Sequence, residues 1–506
     1  MDLFCQDDNI EHIDDDILED ENIDVEIDDD DTNGTSGLVN LGNSCYMNSI
    51  IQCLSNCDDF RSFIIGSELI PKLIKYEKNY NLGEKNIDNN LSFQLRKILI
   101  NIWNSSFYSF RPISFKTLFG KKIELFQNTN QQDSQEALLC IIDSIHEEIA
   151  IEAKIIPNLK NINYDLLDEL HKDEDANIQQ ILHIIKRNKL DYLMYKSVKD
   201  FISSHKKYSL INNLFEGRVI NQLTCSETSG IKVNFESFFY FSLAIPNDSN
   251  ELDEISSDDD SSSDDESSDN DEELEGQSEI TENSEDETSK KDEDEKSDED
   301  NDKDSISSEK TSVSSSSSDS ESDSDSDKIY NIENIKDVLN KNTKKNNKKY
   351  TLYDLMENFI KPEDLTGENK WRSPYVNKLV DTQKINLLWE TPKILIILLK
   401  RFEYTFTGAT KLNNIIEFPI DELDVSPYLH SNNISKYKKY TLFAINNHTN
   451  FSNFGFNGIS FGHYYSYCKN YTNNKWYNFD DDNVTEINES DLITKEAYML
   501  FYKAIE

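Results

Sequence analysis

Residues 248–327 hold thirty-five Asp and Glu against five Lys, in runs such as "SSDDDSSSDDESSDNDEE". A segment of that composition cannot bury enough apolar surface to repay the entropy of ordering it. It therefore divides the chain into two stretches that can fold. The formal net charge is −46; residues 1–31 carry −16 and residues 248–327 carry −30, so the rest of the chain is neutral. A neutral folded part lacks the basic footprint of a nucleic-acid binder, and no nucleic-acid partner is expected.

The acidic blocks set the organisation. Residues 1–34 read as a disordered leader, and 247–349 as a disordered insert, Ser/Asp/Glu-rich and then Asn/Lys-rich. Residues 35–246 and 350–506 read as two parts of one α+β domain. The first part is mostly helical. "CYMNSIIQCLSNC" carries apolar residues at helical spacing, and in "DSQEALLCIIDSIHEEI" (133–149) Asp133 is a candidate N-cap with Glu136 three residues on, a variant of the capping box. Residues 150–213 read as a helical insertion, with "IQQILHIIKR" its clearest segment. The second part is mostly β, with strand-like runs at 393–404, 440–448, 463–470, 475–481 and 497–505; "ESFFYFSLAIP" (236–246) reads as a strand as well.

Seven cysteines form no C-x-x-C pair, and the longest hydrophobic run, "ILIILL", is far shorter than a spanning helix. Free thiols in a reducing compartment, cytoplasmic or nuclear, with no membrane partner, are the expectation. Cys45 stands after "NLGNS" at the start of the helical pattern. A helix N-terminus favours a thiolate, so the position suits a nucleophile; it equally suits a buried thiol in a turn. His463 begins a strand-like run, and "NYTNN" joins that run to "KWYNFDD". The ladder of such a hairpin brings Asp480 or Asp481 beside the imidazole, the arrangement in which a general base is oriented by a third group. A solvated turn accounts for "DDD" as well.

"GLVNLGNSCYMNSIIQCL" (37–54) and "GHYYSYCKNYTNNKWYNFDDDNVTEI" (462–487) resemble the cysteine and histidine boxes of the ubiquitin-specific proteases, papain-like deubiquitinating enzymes. Matches between them include "QQDSQEALLCIID" (131–143), "LFEGRVINQLTC" (214–225) and "LLKRFEY" (398–404), so the resemblance covers roughly 36–246 and 350–506. It implies a fold with an α-helical thumb, a β-rich palm and β fingers. It also implies hydrolysis of the isopeptide or peptide bond after the C-terminal glycine of ubiquitin, through an acyl-enzyme. Carried over, the nucleophile falls on Cys45, the general base on His463 and the orienting acid on Asp480. Asp481 becomes an auxiliary polar partner, and Asn40 falls on the asparagine that supports the oxyanion. Ubiquitin and ubiquitinated proteins are the implied partners.

Two departures from the family pattern matter. The zinc site that many members carry in the fingers has its four positions on Cys225, Thr228, Ser373 and Val376, and one thiol cannot supply a closed site, so no zinc and no other cofactor is expected. The stretch after His448, "TNFSNFGFNGISFG", is longer than usual, carries four phenylalanines and lacks the glycine expected two residues on. Other readings stay open: a protease for another ubiquitin-like modifier, or an inactive ubiquitin-binding scaffold. The insert reads as a solvated linker, as a site for acidophilic kinases, or as a docking strand for a basic protein.

Overall fold

The computed structural model describes residues 33–80, 87–104, 108–152, 207–227, 231–246, 349–374, 376–405, 408–450 and 462–506, together with a few single positions between 193 and 204. The acidic leader up to residue 32, most of the 150–213 insertion, residues 247–348 and the extended loop at 451–461 lie outside the described residues.

The main helices are α1 (Cys45–Ser55), α2 (Asp58–Ile65), α3 (Leu69–Tyr80), α4 (Leu91–Asn104), α5 (Ile113–Lys122), α6 (Ser134–Ile149), α7 (Leu210–Phe215) and α8 (Leu352–Ile360). The main strands are β1 (Gly217–Cys225), β2 (Ile231–Phe238), β3 (Phe241–Ala244), β4 (Glu363–Leu365), β5 (Thr382–Glu390), β6 (Ile394–Lys400), β7 (Lys439–Asn450), β8 (Gly462–Lys469), β9 (Trp476–Asp480), β10 (Asn483–Ile487) and β11 (Ala497–Ala504). They form two sheets. One runs β10-β9-β8-β7-β11-β6-β3, with a short strand at Leu423–Asp424 added to β7; the other runs β2-β1-β5-β4. This is the α+β palm, thumb and fingers that the resemblance implied.

The centre of the large sheet is buried on both faces, which is why β6 and β11 read as continuous apolar runs. Helices α1, α2, α4 and α6 cover one face with a core that includes Ile50, Leu54, Leu138 and Ile141, and α8 covers the other with Leu352, Leu355 and Met356. Each such side chain contributes roughly 1.5–3 kcal/mol when fully buried. Residues on both sides of the 247–348 insert thus build one body.

Three local expectations are corrected. Residues 236–246 are two strands, because the chain leaves the fingers sheet at Phe238 and enters the palm sheet at Phe241. Residues 393–404 divide at Arg401, a fully buried guanidinium that donates to the carbonyls of Ala497, Leu412 and Asn414 and draws the chain out of β6. Asp133 caps α6 alone, accepting from Gln135 N at 2.8 Å. Full capping boxes occur instead at Ser209/Asn212 and Thr351/Asp354, where each side chain answers the other's backbone N–H.

Candidate active site

Cys45 is the first residue of α1, a helix buried on every side. The loop before it is wound by Asn40, whose Oδ1 accepts from Gly42 N and Ser44 N, both at 3.0 Å. Gly42 and Asn43 have φ of 93° and 51°, the left-handed region in which glycine costs least and asparagine is tolerated. Asn43 Nδ2 then donates to Thr129 O at 2.8 Å, tying the loop to the chain that leads into α6. The N–H groups of the first helical turn have no acceptor within the helix, and Cys45 contributes one of them at the positive end of the dipole.

His463 comes to this cysteine on β8, the strand packed against α1. The hairpin predicted from "NYTNN" forms: Asn470 N donates to Lys475 O at 2.9 Å, and β9 returns antiparallel to β8. Its end delivers Asp480, whose Oδ1 lies 2.5 Å from His463 Nε2. Asp481 Oδ2 is 4.0 Å from the same nitrogen. The hydrogen bond to Asp480 and then the bond with the Cys45 thiol hold the imidazolium up to about 10, against partial burial that pulls it down.

Asp481 faces the other way. Its backbone is left-handed (φ 52°), and its carboxylate accepts from Asn40 Nδ2 and from Asn48 Nδ2, each at 2.8 Å. Burial pushes this carboxyl up, and the two amides oppose it. With Oδ1 fixed by Gly42 and Ser44, and Nδ2 by Asp481, the Asn40 amide has one orientation. The structure therefore brings all five predicted residues together and gives the two aspartates different neighbours.

A family model described as ubiquitin carboxyl-terminal hydrolase matches residues 36–502. The chain belongs to that family. The ubiquitin carboxyl-terminal hydrolases similar to it include a probable one of Acanthamoeba polyphaga mimivirus, 23% identical, with 93% of this chain and 90% of that one aligned. Ubiquitin carboxyl-terminal hydrolase 2 of Bos taurus is 24% identical over 93% of this chain, which spans 55% of that protein's length. Among solved structures, the SAGA Ubp8/Sgf11/Sus1/Sgf73 DUB module bound to ubiquitin aldehyde matches at a TM-score of 0.52 and 19% identity, covering 94% of this chain and 70% of that one, a likeness of fold. The recognition made from the cysteine and histidine boxes stands.

The sequence reading missed Asn48, Thr129 and Gln131. Asn48 sits inside "CYMNS", one turn along α1 from Cys45, a position from which a polar side chain reaches the same end of the helix. Gln131 lies in a quoted match without an assigned role, and it bonds Gly462, the residue before His463. Among the described residues, His463, Asp480 and Asp481 are the one cluster with three metal-ligating atoms within 4.8 Å of one another. Its imidazole is bonded to Asp480 and its Asp481 to two amides, which is the bonding of a triad. In the fingers, Cys225 is buried opposite Thr382 and Ser373 is fully buried, while Thr228 lies outside the described residues.

Proposed function

We propose that this chain is a cysteine-type deubiquitinase that cleaves the bond after the C-terminal glycine of ubiquitin. The observation that carries the reading is the convergence of Cys45, His463 and Asp480 at a helix N-terminus. His463 takes the thiol proton, and Cys45 Sγ attacks the glycine carbonyl carbon. The oxyanion that forms is met by the Cys45 N–H and the second N–H of Asn40 Nδ2; a donor of this kind contributes ~10²–10³ in rate. His463 then gives the proton to the departing lysine or α-amine, the C–N bond breaks, and the acyl-enzyme remains. Water attacks the thioester with His463 as base, releasing the ubiquitin carboxylate and restoring the thiol.

Ubiquitin carrying a thiol-reactive C-terminus is expected to form a stable adduct with the wild type and none with Cys45→Ala. A wild type that forms no adduct would mean an inactive scaffold. Faster labelling by another ubiquitin-like modifier carrying the same group would reassign the substrate.

The fingers read as metal-free. Lys378 pairs with Glu227 at 2.7 Å, Lys370 with Asp381 at 3.2 Å, and Ser226 Oγ donates to Asp381 O at 2.7 Å, contacts between protein groups that join the strands there. The purified protein is expected to hold substoichiometric zinc and to keep its Tm in chelator. One zinc per chain by elemental analysis would overturn this.

A further inference from the structure

Gly462 opens β8 beside Asn450 of β7, and the following residue is His463. In an antiparallel ladder the N–H and C=O of one residue point to the same side. Those of Gly462 point away from β7, toward the side where β9 runs. The β8–β9 register ends at Ser466↔Phe479, so among the described residues no strand reaches Gly462 there. The side chain of Gln131 takes the place of that strand: Nε2 donates to Gly462 O at 2.7 Å, and Oε1 accepts from Gly462 N at 3.0 Å.

The other side of Gly462 is closed by His448. A Cβ at position 462 would lie 2.0 Å from His448 Nε2, so only glycine fits. Two residues before Gln131, Thr129 O accepts from Asn43 of the cysteine loop. Residues 129–131 therefore hold the nucleophile's loop at one end and the base's strand at the other. Immediately after them, Asp133 caps α6 and accepts from Tyr498 OH at 2.9 Å, which anchors the bridge to β11.

We propose that Gln131 is a positioning residue for catalysis: its amide substitutes for a missing strand at Gly462 and so sets where the His463 ring meets Cys45 and Asp480. The proposal rests on the deubiquitinase reading above. Misplacing a reacting group by ~1 Å costs on the order of 10² in rate.

The test uses the full chain and a ubiquitin C-terminal amide of a fluorescent amine. Gln131→Ala is expected to lower kcat ~10- to 100-fold with KM little changed, and to move the alkaline limb of the kcat/KM profile to lower pH as the imidazole leaves Asp480. Gln131→Met fills the same volume without either hydrogen bond and is expected to behave alike, which covers the case in which the alanine variant fails to fold. A residue that served stability alone would lower Tm and leave both kcat and the limb in place, and that result would overturn the proposal. Wild-type turnover with unchanged Gln131 variants defeats this inference and spares the deubiquitinase reading. A wild type that neither turns over nor labels on Cys45 defeats both.

Discussion

Asp480→Ala is expected to lower kcat by ~10³-fold, near the ~10⁴ found when the orienting carboxylate of a comparable triad is lost. The smaller figure reflects the exposure of the Asp480 side chain, 44%, which lets water replace part of what the carboxylate does. The substitution also has a direction in pH. Asp480 is the first cause of the raised His463 value, which stands at about 10 against an ordinary ~6.5. Without it the imidazolium deprotonates earlier, so the alkaline limb of kcat/KM moves toward neutral pH. The sign for stability follows by linkage. A folded-state value above the unfolded one stabilises fully below ~6.5, and the contribution is lost as pH rises through about 10. The wild type should therefore exceed Asp480→Ala in stability most at acidic to neutral pH, and the two should converge in alkali. Denaturant melts at several pH values and a kcat/KM profile measure both effects. An unmoved alkaline limb with near-normal kcat would mean that Asp481, 4.0 Å from the same nitrogen, orients the ring instead.

Chemistry and spacing made Cys45 and His463 candidates and offered Asp480 or Asp481 as the acid, and the resemblance to the cysteine and histidine boxes decided among them: a thiol at a helix start, and a hairpin whose register carries an acid to the histidine. Helix α6 was legible for a similar reason, since an N-cap and an apolar stripe agree on its start. Helix α1 was harder. Asn48, Ser49, Gln52 and Ser55 look like a solvent face, yet all are buried, and Asn48 and Gln52 donate to the carbonyls of Leu38 and Ser36. Periodicity finds a helix but cannot say that its polar side is answered by backbone from another segment. The same gap hid Gln131, whose partners are main-chain atoms of a residue over three hundred positions away. Strand ends at Phe238 and Arg401 were invisible because no Gly or Pro marks them; sheet topology and a buried guanidinium decide them. Cys53, on α1, and Cys57, just before α2, are both buried in the core. Burial pushes the Cys57 thiol up to about 12.

Asp481→Ala is expected to cost ~10²–10³ in kcat while leaving the alkaline limb where it is, because Asp481 acts on Asn40 and not on the His463 ring. Removing the carboxylate takes an acceptor from one N–H of Asn40 Nδ2 and from one N–H of Asn48 Nδ2, whose other N–H keeps Leu38 O. The Asn40 amide then loses the contact that turns its nitrogen toward the site, and one oxyanion donor goes with it. Two buried or half-buried donors left unsatisfied cost roughly 1–3 kcal/mol each, so folding stability should fall by ~2–6 kcal/mol. Asn40→Ala separates the two effects: it should reproduce the kcat loss, and because it also removes the acceptor of Gly42 N and Ser44 N, it should loosen the cysteine loop. Since both substitutions remove the same donor from the oxyanion, the double variant should be little slower than either single one, a coupling that a double-mutant cycle on kcat measures. Additive losses would show that Asn40 and Asp481 act on the reaction separately. Asp481→Asn tests the charge: its amide can accept from one asparagine but must present N–H to the other. An activity equal to the wild type in that variant would remove the carboxylate from the mechanism.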